Sequence, residues 1–319
     1  MSTPLDRPLG PLVRLWGLAT AQLPPTDTSP AELAPFVTSL LREGIPFTDS
    51  ISPKDGTQPS ASGWVQKPKK TYPESAAPVE VFERVVSTSS LEEIVTREKV
   101  ARPAKLSPET WACRRSVHTD SATTGTASWE EFVRCYREAH REAEAAFTPE
   151  VIASRDAAHW DCGDLEVDID GEIWGGMKMS VVEVRHKIAP AGLLNDRVFG
   201  VLMLSAALKG ADEFVVLSVS VNDLAASQLG SLSKEKGVVF GAYTSVERVR
   251  KVAEAGDGKG GIGWIMATAS DAKGVLPVWV QAKAVTGLIA KDVPMFLGWV
   301  AKERAKTEDE RIAFLRNMS

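Results

Sequence analysis

Tyr243 and Glu247 lie in the run Gly241-Ala-Tyr-Thr-Ser-Val-Glu-Arg248. Side chains alternate along a strand, so Tyr243, Ser245 and Glu247 share one face and Thr244, Val246 and Arg248 the other. A phenol and a carboxylate on one face can orient a ligand hydroxyl or carbonyl, or move a proton as a coupled acid and base. The competing reading puts Glu247 in a cross-strand ladder with arginine. Arg197 opens the apolar run that ends at Leu208. Its guanidinium must therefore sit at the sheet rim or be buried against an acid, with Asp196 and Glu247 as candidates. Paired, it fastens strand to loop; unpaired, its planar fork suits an anionic head group or carboxylate.

His186 lies near the end of a strand over 176–188 whose faces carry Met177, Met179, Val181, Glu183, Arg185 and Lys187 on one side and Lys178, Ser180, Val182, Val184, His186 and Ile188 on the other. The second face makes the better cavity wall at its far end. There His186 is either a hydrogen-bonded core histidine or a polar contact for a ligand. Trp111 and Arg115 share a face of the strand Thr110-Trp-Ala-Cys-Arg-Arg-Ser-Val-His118 and could line one wall with Trp264, although aromatics at such positions also build ordinary cores. Met177, Met179, Met203 and Met266 supply adaptable apolar surface.

Several chemistries lack their motif. There is no Gly-x-Ser-x-Gly elbow and no Gly-x-x-x-x-Gly-Lys phosphate loop. His140 and His159 have no Cys, His or acid cluster beside them, so neither a metal nor another cofactor is expected. The acidic run Asp164, Glu166, Asp168, Asp170, Glu172 departs from a calcium loop in its glycine position and lacks the closing glutamate. It fits a solvated edge strand better.

Those residues need a scaffold, and the last third of the chain shows its plan. A strand over 261–270 is followed by Gly274-Val-Leu-Pro277 and then, from Trp279, by a helical run with Val285, Leu288, Ile289, Val293, Phe296, Leu297 and Val300 on one face. Pro294 lies inside that stripe, which predicts one kinked helix or two near-coaxial ones. Val285 and Ile289 would face the sheet. Upstream, Ser29-Pro30 opens a helix that the spacing carries to residue 43, before Gly44. Residues 45–78, rich in Pro, Ser, Gly and Lys, read as a surface loop or linker. A short helix follows over 90–99, and Ser128 caps another running to about 147. Strands are predicted at 110–118, 165–169, 176–188, 197–208, 213–221, 238–249 and 261–269. The layout is α+β: a curved antiparallel sheet gripping a long C-terminal helix.

The chain has 319 residues, 44 % of them hydrophobic, enough for a sizeable core. A net charge of −5 argues against nucleic acid as a partner, since phosphate contacts need clustered Lys and Arg. Its longest apolar stretch, 198–208, is well short of the roughly 20 residues needed to span a bilayer. The N-terminus lacks the pattern of a secretory signal. Cys113, Cys135 and Cys162 are isolated and odd in number, which fits reduced thiols and a cytoplasmic protein.

Six ordered blocks carry a resemblance: 111–118, Gly125-Thr-Ala-Ser-Trp129, His186-Lys187, Asn195-Asp-Arg-Val-Phe199, 241–248, and Trp264 through Met266 to Gly274-Val-Leu-Pro-Val-Trp279. Together the sequence resembles a fungal family of START-like proteins of unknown function. The resemblance implies a helix-grip fold and a tunnel between the sheet and the C-terminal helix for a lipid or other hydrophobic small molecule, with transient membrane contact as a further partner. It names no ligand and no catalytic residue. The expected lining is Trp111, Arg115, Met177, His186, Arg197, Phe199, Tyr243, Glu247, Trp264, Val285 and Ile289. The domain is expected over 101–319, with 1–100 as an extension that could cover the opening. Two further readings stand: an enzyme like the polyketide cyclases and aromatases, working through Tyr243, Glu247 and His186, or a scaffold with a filled core.

Overall fold

The computed structural model of the chain describes residues 9–51, 62–100, 106–188, 194–255, 259–273, 285 and 287–306. Helix α1 (Pro30–Asp49) opens as the sequence predicts, with Ser29 and Glu32 forming a reciprocal cap and Pro30 at the first position. It runs past Gly44, where the sequence predicted a stop. A Cβ there would fall 2.1 Å from Leu217 Cδ2, so this glycine permits close contact with the sheet instead of ending the helix.

The stretch read as a loop over 45–78 is also corrected. It holds the end of α1, strand β1 (Val65–Tyr72) and the start of β2 (Ser75–Val86). β1 is an outer strand whose lysines and Pro68 keep it from recruiting another strand, and that composition is indistinguishable from a loop in the sequence. Helix α2 (Thr88–Glu98) and strand β3 (Glu109–Thr119) follow.

The helix predicted from Ser128 is broken into three pieces. These are α3 (Trp129–Phe132), a π-helical turn (Val133–Glu138) and α4 (His140–Phe147), with the break at Ala139 (φ −130°, ψ 47°). Next come β4 (Val151–Trp160), β5 (Val167–Ile169), β6 (Glu172–His186), β7 (Asp196–Leu208), β8 (Glu213–Ser220), β9 (Val238–Ala255) and β10 (Lys259–Asp271). β4 was not foreseen; irregularities near Ala153 and Asp156 erase its alternation. The acidic run forms the β5–β6 hairpin, turning at Asp170 and Gly171, both at positive φ.

One sheet joins the strands in the order β1-β2-β3-β10-β9-β8-β7-β6-β4, with β5 on β6. All pairings are antiparallel except a short parallel contact of β7 with β9. β1 and β2, from the N-terminal hundred residues, extend the sheet that β3 to β10 build.

Each face of this sheet carries its own core. On one, α1 and residues 12–18 cover Trp111, Cys113, Val181, Leu202, Leu217, Val246 and Ala267. Buried ion pairs fasten that side: Arg248 to Asp49 at 2.6 Å and to Glu213, and Arg14 to Glu109 at 3.0 Å. On the other face lie the π-helical turn, α4 and the C-terminal helix α5 (Asp292–Ala305).

Residues 274–284 lie outside the described part, and with them Pro277 and the predicted start at Trp279. A 3₁₀ turn (Ile289–Lys291) leads into α5, so the predicted stripe is carried by two pieces. Pro294 is the third residue of α5, where a missing N–H leaves no helical bond unmade. Val293, Phe296, Leu297 and Val300 are buried as the stripe requires, while Leu288 is 54 % exposed.

Candidate functional site

The α5 face of the sheet is apolar at its centre with a buried ionic cluster at its edge. Strand alternation sends Arg114, Ser116 and His118 of β3 to this face, beside Trp264 of β10 and Glu247 of β9. Arg114 donates from Nη2 to Glu247 Oε1 at 2.9 Å and lies 3.5 Å through Nε from Asp292, in the first turn of α5. Trp264 Nε1 donates to the same Glu247 oxygen at 2.5 Å, and the Arg114 guanidinium carbon sits 3.9 Å from the Trp264 ring centre. Burial, with Glu247 and Glu144 nearby, pushes the Asp292 carboxyl up to about 7 against the pull of Arg114. Burial beside the Arg114 charge presses His118 down to about 4, which keeps its ring neutral.

Phe132, Tyr136, Phe147, Trp264 and Phe296 stack into one aromatic cluster beneath α5, Tyr136 meeting Trp264 at 5.0 Å and Phe296 at 4.9 Å. The space directly under α5 is thus filled. A cavity of about 500 Å³ lies alongside it, under the π-helical turn and α4. Its floor is Ser180, Val182, Met203, Ser205 and Val216; Arg137, His140 and Arg141 form its helical wall, and Trp160, Met177 and Met179 its outer wall. A Cβ on Gly176 would fall 2.3 Å from Arg137 Nη2, so the glycine leaves room for that guanidinium at the rim.

Several buried polar atoms on this face have no hydrogen-bond partner: Arg114 Nη1, His118 Nδ1, Tyr136 Oη and Ser205 Oγ.

The residues anticipated from the sequence divide between the two faces. His186, Phe199 and Tyr243 come together on the α5 face, edge to face at 5.5 Å and 5.4 Å. Burial lowers the His186 pKa, partly offset by Glu144 and Glu150. The Tyr243 hydroxyl bonds Ser218, and burial raises its pKa. Tyr243 and Glu247 share the face as alternation requires, but their partners differ: Ser218 for one, Arg114 and Trp264 for the other.

Trp111 and Arg115 lie on the α1 face, away from the C-terminal helix. Trp111 donates to Glu109 at 3.0 Å, and Arg115 is paired with Glu80 at 2.7 Å. Met177 also belongs to the α1-side core, although it reaches the cavity's outer wall. Arg197 is buried without either anticipated acid: its donors go to the carbonyls of Asn195, Ala272 and Lys273, tying β7 to the end of β10. Asp196 pairs instead with Arg185 at 2.6 Å. Ile289 is buried and Val285 half-buried.

Arg114, His118, Tyr136, Asp292 and Ser205 were not anticipated. One signal was present: on β3, Arg114, Ser116 and His118 alternate, a polar face opposite Trp111 and Cys113. Among the described residues, no group of three or more His, Cys, Asp or Glu could hold a metal ion, and no helix is long and apolar enough to cross a membrane.

A mostly antiparallel curved sheet with a C-terminal helix packed across it is the START-like architecture. The human STARD10 crystal structure aligns with a TM-score of 0.51 at 12 % identity, over 82 % of this chain and 79 % of that one. Human StAR-related lipid transfer protein 5 aligns with a TM-score of 0.48 at 12 % identity, covering 84 % of this chain and 96 % of that one. At such identity the STARD10 likeness speaks for the fold alone. Residues 111–300 match the family model described as "Protein of unknown function (DUF3074)", and the chain belongs to that family. No curated protein matches the sequence.

Proposed function

We propose that the chain binds a hydrophobic small molecule or lipid on the α5 face of its sheet, seated in the cavity under the π-helical turn and α4. The observation that carries this reading is the cavity itself. At about 500 Å³ it lies within the range of small-molecule sites, and it sets the apolar side chains of Val182, Met203 and Val216 beneath a charged rim that includes Arg137, Glu138, Arg141, Glu142, Asp156 and Lys178. The sheet-and-helix tunnel expected from the sequence is therefore moved sideways: α5 closes one end over aromatic rings, and the open volume runs out beneath α4. Delivery of the ligand to or from a membrane belongs to the same proposal.

The test is direct. Protein purified from a heterologous host is extracted with organic solvent and the extract examined by mass spectrometry, while the emptied protein is offered fluorescent sterol and fatty-acid probes. Co-purifying lipid or saturable uptake at one molecule per chain is expected. No extracted species and no saturable uptake would overturn the proposal.

A further inference from the structure

The rim of the cavity holds a guanidinium that the chain itself does not use. Arg141 is paired with Glu142 and lies 3.5 Å from Asp156. Arg137, four residues earlier, has neither a hydrogen bond nor an ion pair among the described residues. The backbone nevertheless makes room for it, because Gly176 sits at φ +57° and a Cβ there would fall 2.3 Å from Arg137 Nη2. The side chain is reached from two open volumes, since Arg137 also lines a second cavity of about 370 Å³ beside Trp129 and Phe214. Each acid of that second cavity has its own cation: Glu166 has Lys209 at 2.8 Å, Asp212 has Lys251 at 3.0 Å, and Glu213 has Arg248.

Two more groups at this corner are unspent. Lys178, two residues beyond Gly176, donates to the Glu138 carbonyl at 3.0 Å and has no carboxylate partner among the described residues. Its cross-strand neighbour Ser205 is 5 % exposed and its Oγ has no partner. Glu138 and Asp161 are the rim's acids without a cation, and both are exposed, so water screens them. Arg137 is half-buried, where a partner charge is worth more. A pair of anionic oxygens matches the planar guanidinium fork, which a single hydroxyl engages only in part.

We infer that the ligand is an amphiphile with an anionic head group, a carboxylate or a phosphate, held by Arg137 with Lys178 beside it, while its apolar body lies over Val182, Met203 and Val216. This rests on the ligand-binding role proposed above and adds the ligand's charge and orientation. Water is the alternative occupant of the corner, and it makes no demand on the ligand.

Four probes of equal chain length separate these cases: dodecanoate, dodecyl phosphate, 1-dodecanol and dodecyltrimethylammonium, each displacing the uncharged dye N-phenyl-1-naphthylamine from the full chain. At least one anion is expected to bind about tenfold more tightly than dodecanol, and the tighter of the two names the head group. Arg137→Gln should cut that advantage to about twofold or less. Its melting temperature should not fall, because the guanidinium removed has no partner to lose. In the unaltered protein, raising the salt concentration from about 0.05 M to about 0.5 M should erode the same advantage. Equal affinities for anion and alcohol, a preference for the ammonium probe, or an anion advantage that survives either Arg137→Gln or added salt would overturn the inference and leave the binding role standing. Failure of all four probes to displace the dye would remove the binding role and this inference with it.

Discussion

Glu247→Gln tests whether two carboxylates share one buried guanidinium. The Arg114 side chain is 2 % exposed, Glu247 6 % and Asp292 26 %. Removing the only partner of a buried charge costs about 3–5 kcal/mol. Here the cost should be smaller, because the glutamine oxygen can still accept from Arg114 and Trp264, and Asp292 remains to compensate the charge. The single variant should lose about 1–2 kcal/mol at pH 8. Asp292→Asn, which relieves a repulsion against Glu247 while giving up a long contact, should change stability by less than about 1 kcal/mol. The double variant leaves Arg114 uncompensated and should lose about 3–5 kcal/mol, a coupling of about 1–2 kcal/mol beyond the sum of the singles. Urea denaturation of the four proteins, with unchanged m-values, measures it. Additivity within about 0.5 kcal/mol would refute the shared-guanidinium account. A second arm reads the sign. An acid whose folded pKa is raised contributes stability that is present below its unfolded value and lost as pH rises through the folded one, for Asp292 about 7. Without the negative charge of Glu247 that loss should shrink and move to lower pH, visible in the Asp292 carboxyl carbon resonance.

Three further outcomes follow from other parts of the molecule. Ser180→Phe projects a ring into the cavity floor and should abolish saturable probe uptake while the melting temperature is maintained; unchanged uptake would place the ligand elsewhere. Arg248→Met strips both Glu213 and Asp49 of their buried partner, so chemical denaturation should show a loss of about 3–5 kcal/mol. The Glu43 carboxylate accepts from the backbone N–H groups of Leu12 and Val13, and burial pushes its pKa up to about 7. Its contribution is full below about 4.5 and lost as pH rises through 7, so Glu43→Gln should flatten the melting temperature between pH 5 and 8.

The sheet was legible where burial is one-sided or complete. β6 to β10 carry Val, Leu and aromatic runs that no other element would tolerate, and the strands fall within a few residues of their predicted places. β1 and β4 were not legible for a physical reason: edge strands are selected for charge and irregularity, which removes the alternation that betrays a strand. The site was half legible. Alternation put Tyr243 and Glu247 on one face, and they are there. On β3 the same rule was applied to the wrong parity, following Trp111 to Arg115 when the neighbour Arg114 faced the helix. Nothing local distinguishes the two arginines, because which face of a doubly covered strand meets which helix is decided by elements far away in sequence. Tyr136 was hidden more deeply, since its register depends on the π-helical turn, which no periodicity in the sequence announces.

That turn links the fold to the proposed role. A regular helix from Trp129 to Phe147 would keep 3.6 residues per turn and lie flat on the sheet, burying one continuous stripe. The wider turn over Val133–Glu138 and the break at Ala139 instead let Phe132 and Tyr136 pack down on Trp264 while α4 lifts away over β6 and β7. The aromatic cluster thus lies on one side of the break and the cavity on the other. The opposite face shows what this sheet does where packing alone is required: α1 lies close enough for Gly44 to meet Leu217, and every buried arginine there has an acid or an aromatic partner. Unpartnered buried polar atoms occur on both sides, Arg14 Nε and Trp174 Nε1 on the α1 face and Arg114 Nη1, His118 Nδ1, Tyr136 Oη and Ser205 Oγ on the α5 face, but only the α5 face also holds the cavity beneath α4. The cavity beneath α4, more than any one residue, is what the proposed ligand-binding role rests on.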